Sequence, residues 1–223
     1  MKGIFITGTS TGVGKTYIGC LLAAYLTQQG TRVIPRKPVE SGCTHRDGQL
    51  IPEDALALHQ ASAYAGDLSE VCAYRFEAAI SPARAAHLNN LSLSIQQLAS
   101  HCLTVPGHQD DFLLVEGAGG FYSPLTSDGL NADLAQQLDL PVLLIADNKL
   151  GCINQVLLSV AAIENRQLKP AAIILNQQAD ETAANAMDNL ADLKSLLSYP
   201  VLSCAANTTP GTGFLQQLGA ILI

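Results

Sequence analysis

The sequence predicts an α/β fold, a mostly parallel sheet with helices on both faces, and three observations carry that expectation. Short apolar runs alternate with amphipathic helical patterns along the chain. The first of these runs leads through a glycine-rich loop directly into a helical pattern. Hydrophobic residues make up 48% of the chain and charged residues only 14%, a composition suited to strands buried on both sides. At 223 residues, one domain spanning 1–223 is expected, large enough to bury a substantial core.

The first strand is expected at the apolar run Gly3 to Ile6. Gly8-Thr9-Ser10-Thr11-Gly12-Val13-Gly14-Lys15-Thr16 follows, and then a helix with Ile18, Leu21, Leu22, Tyr25 and Leu26 on one face. Strand, glycine-rich loop, Gly-Lys-Thr and helix form the context of a phosphate-binding P-loop. Small residues let backbone N–H groups turn toward a phosphate, and the helix start adds the positive end of its dipole. In such a loop Lys15 reaches the β- and γ-phosphates and the Thr16 hydroxyl ligates Mg²⁺. The spacing is a variant. The first glycine of G-x-x-x-x-G-K-[ST] falls on position 9, which is Thr9, and Gly8 lies one residue earlier.

The remaining elements follow in order. Arg32 to Lys37 reads as the second strand, stopped by Pro38. Glu53 to Ala61 is a short helix after Pro52, and Ser81-Pro82 opens another with proline in the favoured first turn. Ser94-Ile-Gln-Gln97 is a capping-box start to a helix ending near Leu103. Asp111 to Glu116 and Val142 to Asp147 are apolar strands. Cys152 to Asn165 is a helix whose Ile153, Val156, Leu157, Val160 and Ile163 share a face. A strand over Ala171 to Asn176, a helix near Thr182 to Leu197 and a strand over Val201 to Cys204 complete the alternation.

In parallel sheets of this kind, ligands bind at the C-terminal ends of the strands. That rule gathers scattered polar residues into one candidate site. Lys37, set off by Pro38, is a second cation able to neutralise charge in phosphoryl transfer; taken alone it is a solvated strand-end lysine. Glu116 ends an apolar strand before Gly117-Ala118-Gly119-Gly120, as in a Walker B element. With Thr16 and Asp54 it supplies an oxygen set for Mg²⁺, though Asp54 alone reads as a helix-start acid. Gly151, Cys152, Ile153 and Asn154 open an amphipathic helix whose free N–H groups suit an anion, as do those of any helix start. Asn176 ends its strand with an amide suited either to a base edge or to a turn.

The net charge of −7 argues against non-specific binding to nucleic acid or anionic membranes. No apolar run approaches a membrane span, and the chain enters a strand and the P-loop without a signal peptide. The six cysteines are scattered, with no C-x-x-C pair, and read as small buried hydrophobes in a reducing cytoplasm. The five histidines show no metal-ligand spacing.

Together these segments resemble the dethiobiotin synthetase family. The resemblance rests on the variant P-loop from Gly8 to Thr16, Lys37-Pro-Val-x-Ser41-Gly42, Asp54-Ala-Leu, Ser81-Pro82, Val115-Glu116-Gly-Ala-Gly-Gly120, Lys149-Leu-Gly-Cys-Ile-Asn154 and Asn176. It implies a P-loop NTPase-type domain acting as an ATP-dependent cyclo-ligase on 7,8-diaminononanoate, CO₂ and ATP. Lys37, Lys15 and Thr11 would act on the reacting groups, and Thr16, Asp54 and Glu116 would hold Mg²⁺. The nucleotide would meet Gly12, Val13, Gly14, Lys15, Thr16 and Tyr17, then Gly117, Ala118 and Gly119. Asn176, Gln177, Ala205, Ala206 and Asn207 would surround the base. Ser41 and the Gly151 to Asn154 helix start would bind the diamine, the latter reached across a homodimer in which Ile153 and Val156 make an apolar contact.

Two segments depart from the family pattern. Gly12 stands where many members carry an acidic residue, and Ser203 to Asn207 lacks the Gly-x-Ile-Pro of the adenine pocket. The competing reading is a nucleotide-switch ATPase of the partition or positioning type. Such proteins carry an extra lysine early in the loop, and residues 9 to 13 contain none.

Overall fold

Six parallel strands form the central sheet of the computed structural model, which describes residues 2–104, 111–177 and 188–222. In chain order the first half runs β1 (Lys2–Gly8), α1 (Lys15–Gln28), β2 (Val33–Arg36), β3 (Val39–Ser41), β4 (Thr44–Arg46), β5 (Gln49–Ile51), α2 (Glu53–Ala61), α3 (Leu68–Val71), β6 (Tyr74–Phe76) and α4 (Pro82–Leu88). The second half runs α5 (Ile95–Leu103), β7 (Phe112–Gly120), α6 (Asn131–Leu138), β8 (Val142–Asp147), α7 (Cys152–Asn165), β9 (Pro170–Asn176), α8 (Asn189–Leu196), β10 (Val201–Cys204) and α9 (Gly213–Leu222). The sheet order is β10-β9-β8-β1-β7-β2.

Both faces of this sheet are covered because successive side chains of each strand point to opposite sides. Ile4 and Ile6 of β1, Leu114 of β7, Leu143 of β8 and Ile174 of β9 pack on one face with Ile18, Leu22 and Leu26 of α1 and Leu215 and Leu218 of α9. Phe5, Val115, Leu144 and Ile173 enter the opposite core with residues of α4, α5, α6 and α7, such as Ala85, Leu98, Leu134 and Val160. The apolar face expected for the first helix is the buried face of α1. α5 starts as expected: Gln97 N–H donates to Ser94 Oγ at 3.2 Å and Ser94 N–H to Gln97 Oε1 at 2.9 Å.

Several boundaries differ from expectation. β2 stops at Arg36, so Lys37 lies just beyond the strand end. β7 continues past Glu116 through the glycines to Gly120, which pairs with Gly8 of β1 after a register irregularity. The helix expected near 182–197 is seen as α8, and residues 182–187 lie outside the described residues. The stretch before α2, for which the sequence suggested no element, holds an antiparallel hairpin, β4 with β5. Its turn is Asp47-Gly48, both with positive φ (+49° and +76°), the pairing that a tight two-residue hairpin turn demands.

This topology brings the C-terminal ends of β1, β2, β7, β8 and β9 to one edge. The P-loop leaves β1, Lys37 follows β2, Glu116 lies in β7, and Asn176 ends β9. The six cysteines are free and, Cys20 apart, buried; burial pushes the Cys102 thiol up to about 12, as suits an inert apolar residue. No helix among the described residues is long and apolar enough to cross a membrane.

Leu114 of β7 is fully buried at the middle of the sheet. Leu114→Ala is expected to lower unfolding stability by about 2–5 kcal/mol. A urea denaturation series checks this, the midpoint falling while the slope stays unchanged.

Candidate active site

Backbone conformation builds the loop that the site surrounds. Gly12 and Gly14 sit at φ +78° and +93°, left-handed values that side chains resist. A Cβ on Gly14 would stand 2.1 Å from Asn176 Nδ2. That amide donates to the Val13 carbonyl at 3.0 Å, so the end of β9 buttresses the loop. Lys15 Nζ curls back to donate to the Ser10 carbonyl at 3.3 Å. Burial pushes the Lys15 ammonium below its ordinary pKa; the Glu116 and Asp54 charges work against that shift and the Lys37 charge adds to it.

Beside the loop lies a cluster of charge in which Lys37 and Glu116 are buried and the Asp54 side chain is 46% exposed. Lys37 Nζ meets Glu116 Oε1 at 2.5 Å and Asp54 Oδ2 at 2.7 Å. Thr16 Oγ1 donates to the same Glu116 oxygen at 2.9 Å. Burial alone would lower the Lys37 pKa, but Glu116, Asp54 and Glu40 outweigh it and hold the ammonium above its usual range. For Asp54, burial opposes ionisation, while the Lys37 charge and hydrogen bonds from Lys37 and Thr16 hold the carboxyl below its ordinary value. Lys37 and Asp54 are therefore both charged at neutral pH.

Thr16, Asp54 and Glu116 fit a magnesium ion. Glu116 Oε2 is buried without a hydrogen-bond partner, and the three side chains offer only hard oxygen donors. Among the described residues no group of three or more His, Cys, Asp and Glu side chains could hold a metal. Two carboxylates, one hydroxyl and substrate phosphates are the surroundings that Mg²⁺ commonly takes.

Two cavities flank the loop. The larger, about 670 Å³, brings together Thr11, Gly12, Gly14, Lys15, Thr16, Lys37, Ser41, Asp54, Ala118 and Gly119. Its far wall is the start of α4, with Ile80, Ser81 and Pro82, and the turn at Ser123 and Pro124. The smaller, about 310 Å³, is lined by Tyr17, Asn176, Gln177, Ala206 and Asn207, with Gly12 and Gly14 shared between the two. The Tyr17 hydroxyl donates to the Thr208 carbonyl at 3.0 Å and so ties the 205–208 loop to α1.

Other residues singled out in the sequence lie off these walls. Val13 is buried behind the loop, Glu116 beneath Lys37, and Gly117 under Asn131; Ala205 is exposed beside the smaller cavity. Gly151, Cys152, Ile153 and Asn154 line neither cavity, and Gly151 and Asn154 face outward. The expectation that Val156 joins a contact between subunits is corrected: it is fully buried in this chain's own core, because β8 presents its apolar face to that side of α7. Leu150 and Leu158, at 85% and 64% exposure, are the outward apolar residues there.

The family model described as "AAA domain" matches residues 2–209. The ATP-dependent dethiobiotin synthetase BioD of Vesicomyosocius okutanii subsp. Calyptogena okutanii is 41% identical over 177 residues, 79% of each chain. That of Anaeromyxobacter dehalogenans (strain 2CP-1) is 38% identical over 196 residues, 88% of this chain and 86% of the relative. The chain belongs to the dethiobiotin synthetase family. Among solved structures, the MinC:MinD cell division protein complex of Aquifex aeolicus aligns with a TM-score of 0.53 at 15% identity, over 90% of this chain and 79% of that one. The pnob8 ParA structure gives 0.53 at 15%, over 88% and 72%. Likeness at that identity concerns the fold alone.

Two residues of the site escaped the sequence reading. Glu40 is buried and accepts the backbone N–H groups of Asp54 and Ala55. Asn131, with no exposure, donates to the Ala118 carbonyl at 2.6 Å and the Gly120 carbonyl at 3.1 Å, and accepts Ala118 N–H at 3.0 Å. A helix-start asparagine carries no local signal for this role, which arises only when α6 folds against β7. Asn131→Ala would take the Asn131 partner from the Ala118 N–H and carbonyl, both partly buried, each worth about 1–3 kcal/mol, while the Gly120 carbonyl keeps Ser123 N–H. The expected loss is about 2–4 kcal/mol in unfolding stability, measured by chemical denaturation.

Proposed function

We propose that this protein carboxylates and cyclises 7,8-diaminononanoate with CO₂ at the expense of ATP, giving dethiobiotin, ADP and phosphate. Family membership names the reaction, and one observation carries the assignment to these residues. That observation is Lys37, held between Glu116 and Asp54 beside Thr16 at the mouth of the P-loop.

One neutral amine of the substrate adds to CO₂ in the larger cavity and loses a proton, giving a carbamate. The γ-phosphoryl group of ATP passes to a carbamate oxygen, giving a carbamic-phosphoric mixed anhydride, and ADP leaves. The second amine attacks the carbonyl carbon; phosphate departs, a proton is lost and the cyclic urea closes. Phosphorylation is needed because a carbamate oxygen is a poor leaving group and phosphate a good one. Lys15 and Lys37 supply fixed positive charge to the phosphates and the carbamate, the kind of preorganised stabilisation on which phosphoryl transfer depends. Thr11 and Ser41, both on the wall of this cavity, contact the reacting groups and the diamine. Thr16, Asp54 and Glu116 would hold Mg²⁺, which would supply further positive charge to the transferring phosphoryl group. The smaller cavity takes the adenine, with Asn176 at its edge and Tyr17 on its wall.

The working unit is a homodimer in the cytoplasm. The diamine carries its carboxylate far from its amines, and the α7 start that suits a carboxylate lies outside the cavities of its own chain. A partner subunit then supplies that helix start, and the free buried thiols accord with a reducing compartment.

Purified protein with diaminononanoate, bicarbonate, Mg²⁺ and ATP is expected to yield dethiobiotin by mass spectrometry, and no product would refute the reading. Lys37→Ala is expected to lower kcat by at least about 100-fold, the scale for losing one preorganised charge-stabilising group. Lys37→Arg should also turn over poorly, since a planar fork does not replace a point charge. For the shared site, Lys15→Ala and Asn154→Asp subunits, each inactive alone, should regain activity after subunit exchange. Exchanged mixtures that stay inactive would rule out a site built across the interface.

A further inference from the structure

Asp54 reaches Lys37 only because the first turn of α2 is held at one height, and that turn has no cap of its own. Its N-cap is Pro52, whose side chain accepts nothing, so the leading N–H groups need acceptors from elsewhere. Glu40, fourteen residues earlier on β3, supplies them: Oε1 accepts Asp54 N–H at 3.1 Å and Oε2 accepts Ala55 N–H at 3.0 Å. The carboxylate is only 6% exposed and lies on the wall of the larger cavity. Its strand is anchored by parallel pairing with β6, Glu40 standing opposite Arg75. On the outer side, Thr44 and Arg46 of the hairpin hold Glu53 at 2.8 and 2.6 Å.

We propose that Glu40 is a positioning residue of the active site, whose two-oxygen grip on the Asp54 and Ala55 amides sets where the Asp54 carboxylate stands and thereby how tightly the site binds a magnesium-nucleotide. The inference rests on the reading of Asp54 as a magnesium ligand. A carboxylate is required because each of two neighbouring N–H groups takes its own oxygen. Glutamine offers one carbonyl oxygen and turns an NH₂ group toward the second donor. Removing the grip leaves the Lys37–Glu116 pair in place, since those two residues belong to β2's end and β7. The geometric effect therefore falls on Asp54, and the lost negative charge near Lys37 is common to metal-bound and metal-free nucleotide.

The test is binding of ADP by isothermal titration calorimetry, with Mg²⁺ and with EDTA, for the wild type, Glu40→Ala, Asp54→Asn and the double variant. Glu40→Ala is expected to weaken Mg-ADP by at least about tenfold, the scale on which partners of a metal ligand act, while metal-free ADP stays within about twofold. The double variant should bind Mg-ADP no more weakly than Asp54→Asn alone, because Glu40 acts through that side chain. Glu40→Gln should fall between the wild type and Glu40→Ala. Equal weakening of metal-bound and metal-free ADP, additive losses in the double variant, or wild-type Mg-ADP affinity in Glu40→Ala would each overturn the proposal. If Asp54→Asn itself binds Mg-ADP normally, the metal role of Asp54 fails and the proposal with it. Failure of both Glu40→Ala and Glu40→Gln to fold would make Glu40 a folding residue and overturn it as well. Synthesis of dethiobiotin enters none of these measurements, so the reaction and the role of Glu40 are judged separately.

Discussion

An ammonium group enclosed by two carboxylates is the interaction on which the site depends. Lys37 stands just past β2, Glu116 inside β7 and Asp54 in the first turn of α2, so three elements must meet for the pair of contacts to exist. Taking such charges out of water costs several kcal/mol each unless geometry and further hydrogen bonds offset it. The surroundings provide both. Thr16 adds a donor to Glu116, and Glu40 both holds Asp54 by its backbone and contributes negative charge near Lys37. Lys37 or Glu116 left unpaired in this buried position would be strongly destabilising, which makes their contact a constraint on the register of β2 against β7.

The parts of the fold that are local in sequence were readable there. Buried parallel strands are largely apolar runs, and β8 and β10 have the bounds expected from them, Val142–Asp147 and Val201–Cys204. The P-loop is legible because its glycines, lysine and threonine are adjacent and must be, given the backbone they form. Lys37, Asp54 and Glu116 could be gathered only by the rule that sites form at strand ends, and that rule carried no distances. The hairpin β4–β5 was missed despite its Asp47-Gly48 turn, since Thr44 to Arg46 is wholly exposed and shows no apolar alternation. Glu40 and Asn131 were out of reach for a different reason. Their partners are backbone groups eleven to fifteen residues away, and a backbone group leaves no mark on composition. Val156 shows a third limit: helical periodicity says that a residue is on an apolar face, not which core that face enters.

Glycine serves two ends in the same loop. Positive φ at Gly12 and Gly14 shapes the backbone that faces the charged cluster. The missing side chain at Gly14 also admits the Asn176 amide, which ties the loop to the last part of the sheet. A larger residue there would disturb both the phosphate side and the strand that supports it.

Gly12 and Gly14 border both cavities, so the loop is a partition wall between them, and under the proposed function it would separate the chemistry from base recognition. The two chambers draw their remaining walls from different parts of the chain: residues 37–124 for one, residues 176–207 and Tyr17 for the other. Inheritance can therefore act on them separately. Under the proposed function, change in the 205–208 segment, tied to α1 by the Tyr17 hydroxyl, would retune which nucleoside is accepted with Lys37, Asp54 and Glu116 untouched. A lineage could thus exchange its energy source without relearning its reaction.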